Sequence, residues 1–475
     1  MTYAFTFDAS ACSGCKACQE ACKDKNNLPV GVMWRRVVEV SGGGWVGGGS
    51  SAKIEDSNQS ERPARTAWEN TVFAYNLSIA CNHCVHPKCA GVCPTDAYIH
   101  REDGIVYIDS NKCMGCGYCA WACPYNAPRY NPELGQMTKC NFCFDNIDAG
   151  LPPSCVAACP LRALDFISLT PTPLPQGAPF GDDEGQGVRV LWELPASEHP
   201  FPLPTNSRTE PHLAIKPHAA MGNDLEKKIF NYEEILPKYQ KSETPLVVFT
   251  LLTQMAAGAF WAAQWMTDSL PLIPYLLIGL CLAIGGFFSF AHLGAKRNAW
   301  RAPFHLKKSW LSREILTAGL FGVSWLAGMF APEIQWVAAL LGAMFVYSMA
   351  KVYRLHVMSA WDTWRTTAGF FVTAALLGHV AMVNLLGAKS GDFAVLALLA
   401  LELAMMLSAK PKAQWTVNRL RVGLSAAAAL AAGIPLFASN PPRVWTSLVI
   451  FLLVMTEAVI GRKYFYTALE EKPLR

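Results

Sequence analysis

Residues 113–130 read CMGCGYCAWACPYNAPRY, and the stretch opens with four cysteines spaced C-x2-C-x2-C-x3-C. The same spacing begins at Cys12, and two related sets of four have one wider gap each. Sixteen of the seventeen cysteines therefore fall before residue 160. The four sets are Cys12, Cys15, Cys18 and Cys22; Cys81, Cys84, Cys89 and Cys93; Cys113, Cys116, Cys119 and Cys123; and Cys140, Cys143, Cys155 and Cys159. The first third of the protein is organised around clustered cysteine sulfur.

The spacing within each set is typical of loops that hold an iron–sulfur cubane. A cubane presents its irons at tetrahedral corners, so several thiolates must come from one tight loop whose N–H groups reach the cluster sulfides. Two residues between ligands give such a loop, and the last cysteine of a set ligates the cubane of a partner set. Pro94, Pro124 and Pro160 directly follow that last cysteine in three sets, where proline ends a helical turn. Four paired sets predict four clusters and electron transfer.

Two other uses of cysteine compete with this interpretation. A disulfide scaffold requires an oxidising compartment, and residues 1–10 have neither the basic start nor the apolar run of a signal peptide. Zinc ribbons pair two C-x2-C units and do not place four cysteines in one short run. The spacing favours iron–sulfur clusters over both.

The second half of the sequence has a different composition. Hydrophobic residues make up 52% of the sequence, the mean hydropathy is +0.20, and apolar residues concentrate after residue 244. A buried core helix explains a single apolar run, but eight runs in series, with Trp and Tyr between them, predict a membrane bundle. The runs are 246–266, 271–291, 315–331, 334–350, 367–387, 392–409, 422–438 and 444–461.

These observations divide the sequence into three parts. Residues 1–166 are predicted to form an α+β double-ferredoxin domain, and residues 244–475 an all-α membrane anchor of eight helices. Residues 167–243 are rich in proline and polar residues and have no sustained helix or strand period. Such a stretch is either a linker or an extended arm, and its length favours an arm that docks on a partner.

Several longer stretches resemble one family of electron-transfer complexes. CNHCVHPKCAGVCP (81–94), REDGIVYID (101–109), the quoted stretch at 113–130 and CPLRALDF (159–166) look like the iron–sulfur subunit of dimethyl sulfoxide reductase. FSFAHLG (288–294), SWLSREI (309–315) and EAVIGRKYFY (457–466) resemble the membrane anchor subunit of that enzyme. In that family the two subunits are usually separate polypeptides, so their fusion is a departure.

The resemblance implies which cysteines share a cluster, because the family pairs the first set with the fourth and the second with the third. Some relatives have tryptophan at the position of Cys119 and a three-iron cluster there, whereas this sequence keeps cysteine. We therefore expect four [4Fe-4S] clusters, of which the last lies nearest the membrane. The implied ligand groups are Cys12, Cys15, Cys18 and Cys159; Cys22, Cys140, Cys143 and Cys155; Cys81, Cys84, Cys89 and Cys123; and Cys93, Cys113, Cys116 and Cys119.

A line of clusters needs an electron donor and an acceptor, and the sequence shows neither a pterin pocket nor a nucleotide fingerprint. The family implies a catalytic subunit with a molybdopterin cofactor at one end and a membrane quinone, ubiquinone or menaquinone, at the other. The expected partners are therefore the catalytic subunit, the quinone and membrane lipid, and no nucleic acid.

The quinone site is expected where ionisable groups meet the membrane boundary, because a quinone exchanges protons as well as electrons. His292 closes the second apolar run and Glu314 opens the third. By pattern alone His292 could as well cap a helix, but the resemblance puts quinol-binding residues at both positions. The family usually has an arginine after His-Leu-Gly; here Asn298 occupies the expected place, and Arg297 and Arg301 flank it.

Four other residues within the apolar runs have simpler interpretations. His379 lies alone in mid-run, and since a bis-histidine haem needs two such residues, no haem is expected. Glu457 is expected to pair with Arg462, and Glu402 to face the bundle interior. Cys281 is expected to be a packing residue.

Charge predicts the orientation of the anchor. The loops on the iron–sulfur side carry thirteen Lys and Arg residues and the opposite loops two. Basic short loops stay in the cytoplasm, which predicts a multi-pass inner-membrane protein with its iron–sulfur domain facing the cytoplasm. Some of these residues could instead hold a partner or anionic lipid.

The cytoplasmic orientation favours sulfite oxidation with quinone reduction, as in cytoplasmic relatives of this anchor. The alternative is a quinol-dependent reductase for dimethyl sulfoxide or another S- or N-oxide, which runs the same relay in reverse. A third hypothesis, a membrane scaffold with structural clusters, is disfavoured by four paired sets.

Overall fold

A computed structural model gives the architecture of the protein. It describes residues 2–43, 45–47, 68–169, 189–190, 209–216, 218, 227–230, 243–268, 270–358, 360–386, 391–407, 415–437 and 443–467.

The iron–sulfur half contains small sheets. The strands are β1 (Thr2–Asp8), β2 (Arg36–Gly42), β3 (Trp45–Gly47), β4 (Trp68–Asn70), β5 (Phe73–Ile79), β6 (Tyr98–His100), β7 (Val106–Ile108), β8 (Arg129–Asn131), β9 (Gln136–Thr138), β10 (Leu164–Leu169), β11 (Arg189–Val190), β12 (Leu213–Lys216) and β13 (Lys227–Phe230). One sheet has the order β10-β1-β12-β11 and another β13-β2-β5, while β3-β4, β6-β7 and β8-β9 are two-stranded. β1 runs antiparallel to β10 and parallel to β12. Pairing of β1 with β10 brings the two ends of the cysteine-rich region together.

Short helices link these strands to the cysteine loops. They are α1 (Ala17–Lys25), α2 (Lys88–Gly91), α3 (Tyr118–Ala122), α4 (Phe144–Asp148) and α5 (Ser154–Ala157). The third cysteine of every set lies in one of them, namely Cys18, Cys89, Cys119 and Cys155. The sequence repeat is therefore also a repeat of local structure.

The second half is a bundle of long helices. They are α6 (Thr244–Met266), α7 (Leu272–Ala291), α8 (Trp310–Phe330), α9 (Gln335–Tyr353), α10 (Trp364–Leu386), α11 (Gly391–Leu407), α12 (Trp415–Phe437) and α13 (Arg443–Thr467). Within the described residues, five helical segments are long and apolar enough to cross a membrane: Thr244–Met266, Leu272–Ala291, Pro332–Tyr353, Trp364–Leu386 and Trp445–Tyr466. Among the described helices, α8, α11 and α12 do not meet that standard, so eight crossings stay a prediction.

Small residues allow the closest helix contact, between α6 and α10. A Cβ atom on Gly258 would lie 1.7 Å from the carbonyl oxygen of Ala374, and one on Gly378 would lie 2.1 Å from the Gly258 carbonyl carbon. Such close backbone approach is the usual device by which helices associate without a hydrophobic driving force.

The described parts of the stretch predicted to be a docking arm lie on the iron–sulfur half itself. β12 pairs with β1, and β13 pairs with β2. The predicted domain end at residue 166 falls inside β10. The proline-rich segments at 170–188 and 191–208 lie outside the described residues, so the assignment of an arm to a partner stays a prediction.

Candidate electron-transfer and quinone site

The four cysteine loops share one backbone conformation. In each set, the residue before the second cysteine has a positive φ: Gly14 (+73°), His83 (+43°), Gly115 (+70°) and Phe142 (+62°). A left-handed residue at this position turns successive N–H groups toward one centre, which is the arrangement that binds anionic groups. The same turn in all four sets, including two without glycine, fits the amide-rich loop that a cubane needs.

Most interactions among the cysteine side chains fall into four groups that draw on distant parts of the sequence, and two cross between groups, Cys140 with Cys81 and Cys155 with Cys18. Cys12 interacts with Cys15, Cys18 and Cys159, and a cavity is lined by these same four residues. Cys22 interacts with Cys143 and Cys155, and Cys140 with Cys22 and Cys155. Cys84 interacts with Cys81, Cys89 and Cys123, and Cys119 with Cys93, Cys113 and Cys116. All seventeen cysteines are free thiols, and the described residues contain no group of three ligands arranged around a single metal ion.

Two buried cations lie among these cysteines. Arg35 is 2% exposed; its Nη1 donates to Ser78 Oγ at 3.1 Å, while Nε and Nη2 are buried without a hydrogen-bond partner. Lys139 is 3% exposed, and its Nζ donates to Cys81 Sγ at 3.3 Å and to the Cys140 carbonyl at 3.0 Å. An unpaired buried charge is costly, so these cations fit cysteine groups that carry an anionic cluster.

The pKa values of Lys139 and of the buried cysteines reflect the same interaction between cations and cysteine sulfur. Burial alone would lower the pKa of Lys139, but its interactions with the sulfur atoms of Cys81, Cys89 and Cys140 outweigh burial and raise it. Burial, helped by Cys155, raises the pKa of Cys22 to about 12. A buried thiol of this kind gives up its proton only when a metal replaces it, since metal binding and proton release are coupled. The residues present therefore fit iron–sulfur clusters.

Hydrogen bonds join the third cysteine set directly to the loop between α7 and α8. Ala295 N donates to the Met114 carbonyl at 3.0 Å, and Asn298 Nδ2 donates to the Cys113 carbonyl at 2.8 Å. His305 Nδ1 lies 2.6 Å from the Cys93 carbonyl oxygen. The loops of Cys93 and Cys113 are thus held against the helical half.

Three glycines make this approach possible. A Cβ atom on Gly115 would lie 2.1 Å from the Gly135 carbonyl oxygen, and one on Gly294 would lie 1.9 Å from the same oxygen. Gly294 lies two residues after His292. The backbone of the third cysteine loop and that of the loop after His292 therefore approach each other without side chains between them.

A cavity of about 580 Å³ lies at this junction. Its wall includes Cys116 from the cluster loop and His292 and Glu314 from the anchor, together with Tyr118, Trp121, Lys296, Arg297, Trp300 and Tyr353. Apolar residues of α6, α7, α8 and α9 complete it. The volume lies within the range of about 300–1,000 Å³ typical of ligand pockets.

The structure brings together most of the predicted quinone-site residues. His292 is 7% exposed, Glu314 is 4% exposed, and both line the cavity with Arg297. Arg301 is not among the lining residues; its guanidinium carbon lies 4.8 Å from the centre of the Trp300 ring. Asn298, which stands where the family has arginine, is tied to the Cys113 carbonyl and does not line the cavity.

A second cavity of about 470 Å³ lies between α10, α11, α12 and α13. Glu402, Arg421, Glu457 and Arg462 line it. The expected pair of Glu457 with Arg462 is wrong: Glu457 Oε1 accepts from Arg421 Nε at 2.7 Å, and Arg462 Nη2 donates to Gln254 Oε1 at 2.9 Å. Glu402 is 8% exposed, which confirms the prediction that it is interior. His379 lies within α10, and the expectation of no haem stays a prediction.

Sequence reasoning missed the aromatic residues of the cavity, Lys296 beside them, and the buried cations Arg35 and Lys139 among the cysteines. Tyr118 Oη donates to the Val352 carbonyl at 2.8 Å, and the Trp121 ring lies 5.7 Å from Trp361 and 5.9 Å from Tyr353. Burial, with a contribution from Glu314, raises the pKa of Tyr118 above its ordinary range. The positions of Tyr118 and Trp121 within CGYCAWAC, and of Lys139 directly before Cys140, were the available signals.

The cysteine loops, the apolar helices and their shared cavity define an iron–sulfur electron-transfer protein that carries its own membrane anchor. The profile of the 4Fe-4S dicluster domain matches residues 72–169, and that of the DMSO reductase anchor subunit (DmsC) matches residues 240–413. The protein belongs to the dimethyl sulfoxide reductase family, with the iron–sulfur and anchor subunits joined in one polypeptide.

The relatives that establish the family match the first half. The B subunit of the anaerobic dimethyl sulfoxide reductase of Haemophilus influenzae is 40% identical over 235 residues, which are 49% of this sequence and 98% of that protein. The corresponding B subunit of Escherichia coli is 42% identical over 217 residues, 46% of this sequence and 89% of that protein. A thiosulfate reductase electron transfer subunit of Salmonella typhi is 36% identical over 165 residues, 34% of this sequence and 74% of that protein.

Proposed function

We propose that this protein carries electrons between a molybdopterin-containing catalytic subunit and membrane quinone, through four [4Fe-4S] clusters. The observation that carries the proposal is the cavity of about 580 Å³ whose wall contains both Cys116 and the pair His292 and Glu314. A quinone head in this cavity would touch groups that exchange protons and lie beside a cluster ligand.

The proposed clusters form a line from the far side of the iron–sulfur half to the anchor. Their ligand groups are the four inferred from the family pairing, and the interactions among the cysteines support the same groups. Arg35 interacts with Cys18 of the first group and Cys22 of the second, and Lys139 with Cys140 of the second group and Cys81 of the third. Each cation therefore lies between two adjacent groups of the proposed line.

At the quinone end, His292 and Glu314 are proposed to bind the two ring oxygens and exchange protons with them. Arg297 and Lys296 add positive charge to the cavity wall. A quinone supplies the two-electron, two-proton chemistry when bound; the protein supplies orientation, proton exchange and the adjacent cluster.

Two directions of flow are compatible with this relay. The names of the relatives, dimethyl sulfoxide reductase and thiosulfate reductase, favour electron flow from quinol to an S-oxide or another sulfur compound. The basic loops, which favour a cytoplasmic iron–sulfur half, support sulfite oxidation with quinone reduction instead. Both candidates use the same clusters and the same cavity.

One experiment distinguishes the two directions and tests the site. The complex is purified from membranes, the large subunit and its molybdenum are identified, and two activities are measured: sulfite-dependent quinone reduction and quinol-dependent sulfoxide reduction. Glu314→Gln and His292→Ala are expected to reduce the quinone-linked activity while leaving cluster content unchanged. Glu333→Gln, an exposed glutamate at the far end of α8, and His356→Ala, an exposed histidine, are the matched controls. A purified complex with neither activity would overturn the proposal.

A further inference from the structure

Two tyrosine hydroxyls meet at the wall of the proposed quinone cavity. The Oη atoms of Tyr353 and Tyr466 lie 2.6 Å apart, and the residues are 3% and 6% exposed. Tyr353 ends α9 and lines the cavity, whereas Tyr466 belongs to the last turn of α13. Because a phenol both donates and accepts a hydrogen bond, such a pair can pass a proton by exchanging these roles.

A carboxylate lies on each side of the pair. Glu314, in the cavity, is close enough to interact electrostatically with both tyrosines, and Glu243 interacts with Tyr466. Glu243 directly precedes α6 and is partly exposed, at the end of the bundle that faces the iron–sulfur half. Glu314 and Tyr353 both line the cavity, Tyr353 shares a hydrogen bond with Tyr466, and neither Tyr466 nor Glu243 is part of the cavity wall. The order proposed from the cavity outward is Glu314, Tyr353, Tyr466 and Glu243.

The surroundings hold this line in place. The Tyr353 ring packs against Trp121, Trp361 and Phe465 with centroid distances of 5.4–5.9 Å. Among the described residues, Arg462 is the further charged group that faces the pair; it interacts with both tyrosines and donates to Gln254. Its positive charge stabilises negative charge that develops on the hydroxyls during transfer.

We propose that Tyr353 and Tyr466 relay protons between the quinone cavity and Glu243, at the iron–sulfur side of the membrane. The inference rests on the proposed quinone site. On oxidation of a quinol in the cavity, its two electrons would pass to the cluster that Cys116 would help to hold. Its two protons would pass to Glu314, the tyrosine pair and Glu243, and quinone reduction would use the same route in the opposite direction. Electrons and protons would then reach and leave the quinone from the same side of the membrane.

The test is Tyr466→Phe in the assembled complex, with decylubiquinol and menadiol as donors. The variant keeps the ring and its packing but removes one hydroxyl. The quinol oxidation rate is expected to fall about 100-fold, the low end of what a positioned proton carrier contributes. The solvent deuterium isotope effect is expected to increase, and the affinity for quinol to stay the same. Tyr353→Phe should have a similar effect, and the double variant should add little to it.

Tyr275→Phe is the matched control. Tyr275 is 2% exposed and donates its hydroxyl to the Trp325 carbonyl, remote from the cavity, so the rate and isotope effect should match the unmodified complex. Cluster reduction by dithionite, which bypasses the cavity, should be equal in all variants. Glu243→Gln tests the outer end of the route without touching either tyrosine.

The outcomes separate this inference from the proposed function. If the unmodified complex oxidises quinol and Tyr466→Phe keeps both its rate and its isotope effect, the relay is wrong and the quinone site stands. If the unmodified complex does not oxidise or reduce quinones, both fail.

Discussion

Lys139 offers the sharpest test of the cluster line. Its Nζ lies 3.3 Å from Cys81 Sγ and 3.0 Å from the Cys140 carbonyl oxygen, and the residue is 3% exposed. Cys81 and Cys140 belong to different proposed ligand groups. A cation between two clusters stabilises the reduced, more negative state of both. Lys139→Met keeps the length of the side chain and removes its charge.

The size of the effect follows from Coulomb's law. For two charges about 6 Å apart and an effective dielectric constant of about 20, the interaction is worth about 3 kcal/mol. For a one-electron couple this corresponds to about 120 mV, and relaxation of neighbouring groups reduces it, so we expect a decrease of about 100 mV. The carbonyls of Val106 and Cys140 lose their donor, which adds a stability cost of about 1–3 kcal/mol.

The measurement is a redox titration of the purified complex followed by electron paramagnetic resonance. The cluster ligated by Cys81, Cys84, Cys89 and Cys123 should show the largest decrease in midpoint potential, the group containing Cys140 a smaller one, and the remaining two almost none. Lys139→Arg, which keeps the charge, is the control. An unchanged potential in the Cys81 cluster, or an equal shift in all four, would refute the reasoning.

Three further perturbations test the remaining parts of the structure. Cys116→Ser should abolish quinone-linked activity in a complex that stays assembled. If the clusters only stabilise a membrane scaffold, the same variant should lose stability and keep its activity. Thermal unfolding and enzyme assays of the purified variant distinguish the two. Gly294→Ala places a Cβ atom 1.9 Å from the Gly135 carbonyl oxygen and should disturb the junction between the cluster loop and the anchor. Cluster reduction by quinol should therefore become slower, whereas cluster reduction by dithionite should keep its rate. The control is Gly319→Ala, whose added Cβ atom meets nothing within 4 Å and should change neither rate. Gly258→Leu drives a side chain into the backbone of α10 and should destabilise the bundle by at least about 2 kcal/mol, measured as a lower thermal midpoint in detergent.

Much of this architecture is local and therefore readable from the sequence. The cysteine spacing identified the iron–sulfur half because two-residue gaps by themselves force a tight loop, and the left-handed residue in each loop follows from the same geometry. The apolar runs located the helices to within a few residues at most ends. The exceptions are the starts of α8 and α12, which lie five and seven residues before the predicted runs, and the end of α13, which lies six residues after its run. In each case charged residues interrupt the apolar signal at that end.

The unpredicted parts depend on residues that meet from distant positions in the sequence. Asn298 binds the carbonyl of Cys113, 185 residues earlier, and no local pattern marks such a pair. Glu457 bonds to Arg421 on α12, although Arg462 lies closer in sequence, because the packing of two helices decides the partner. The cavity itself draws on four helices and a cluster loop. Of its lining residues, the motifs predicted Cys116 as a cluster ligand and His292, Arg297 and Glu314 as quinone-site residues.

The covalent fusion of the two halves is matched by their packing, and this limits how the protein can be divided. Tyr118 and Trp121 project from the third cysteine set into the helical half, where both are buried and Tyr118 bonds to α9. A soluble fragment ending near residue 243 would expose these rings and the carbonyls of Cys93 and Cys113 to solvent. Such a fragment would self-associate through that surface. The cluster most exposed to oxygen would be the one proposed at Cys93, Cys113, Cys116 and Cys119.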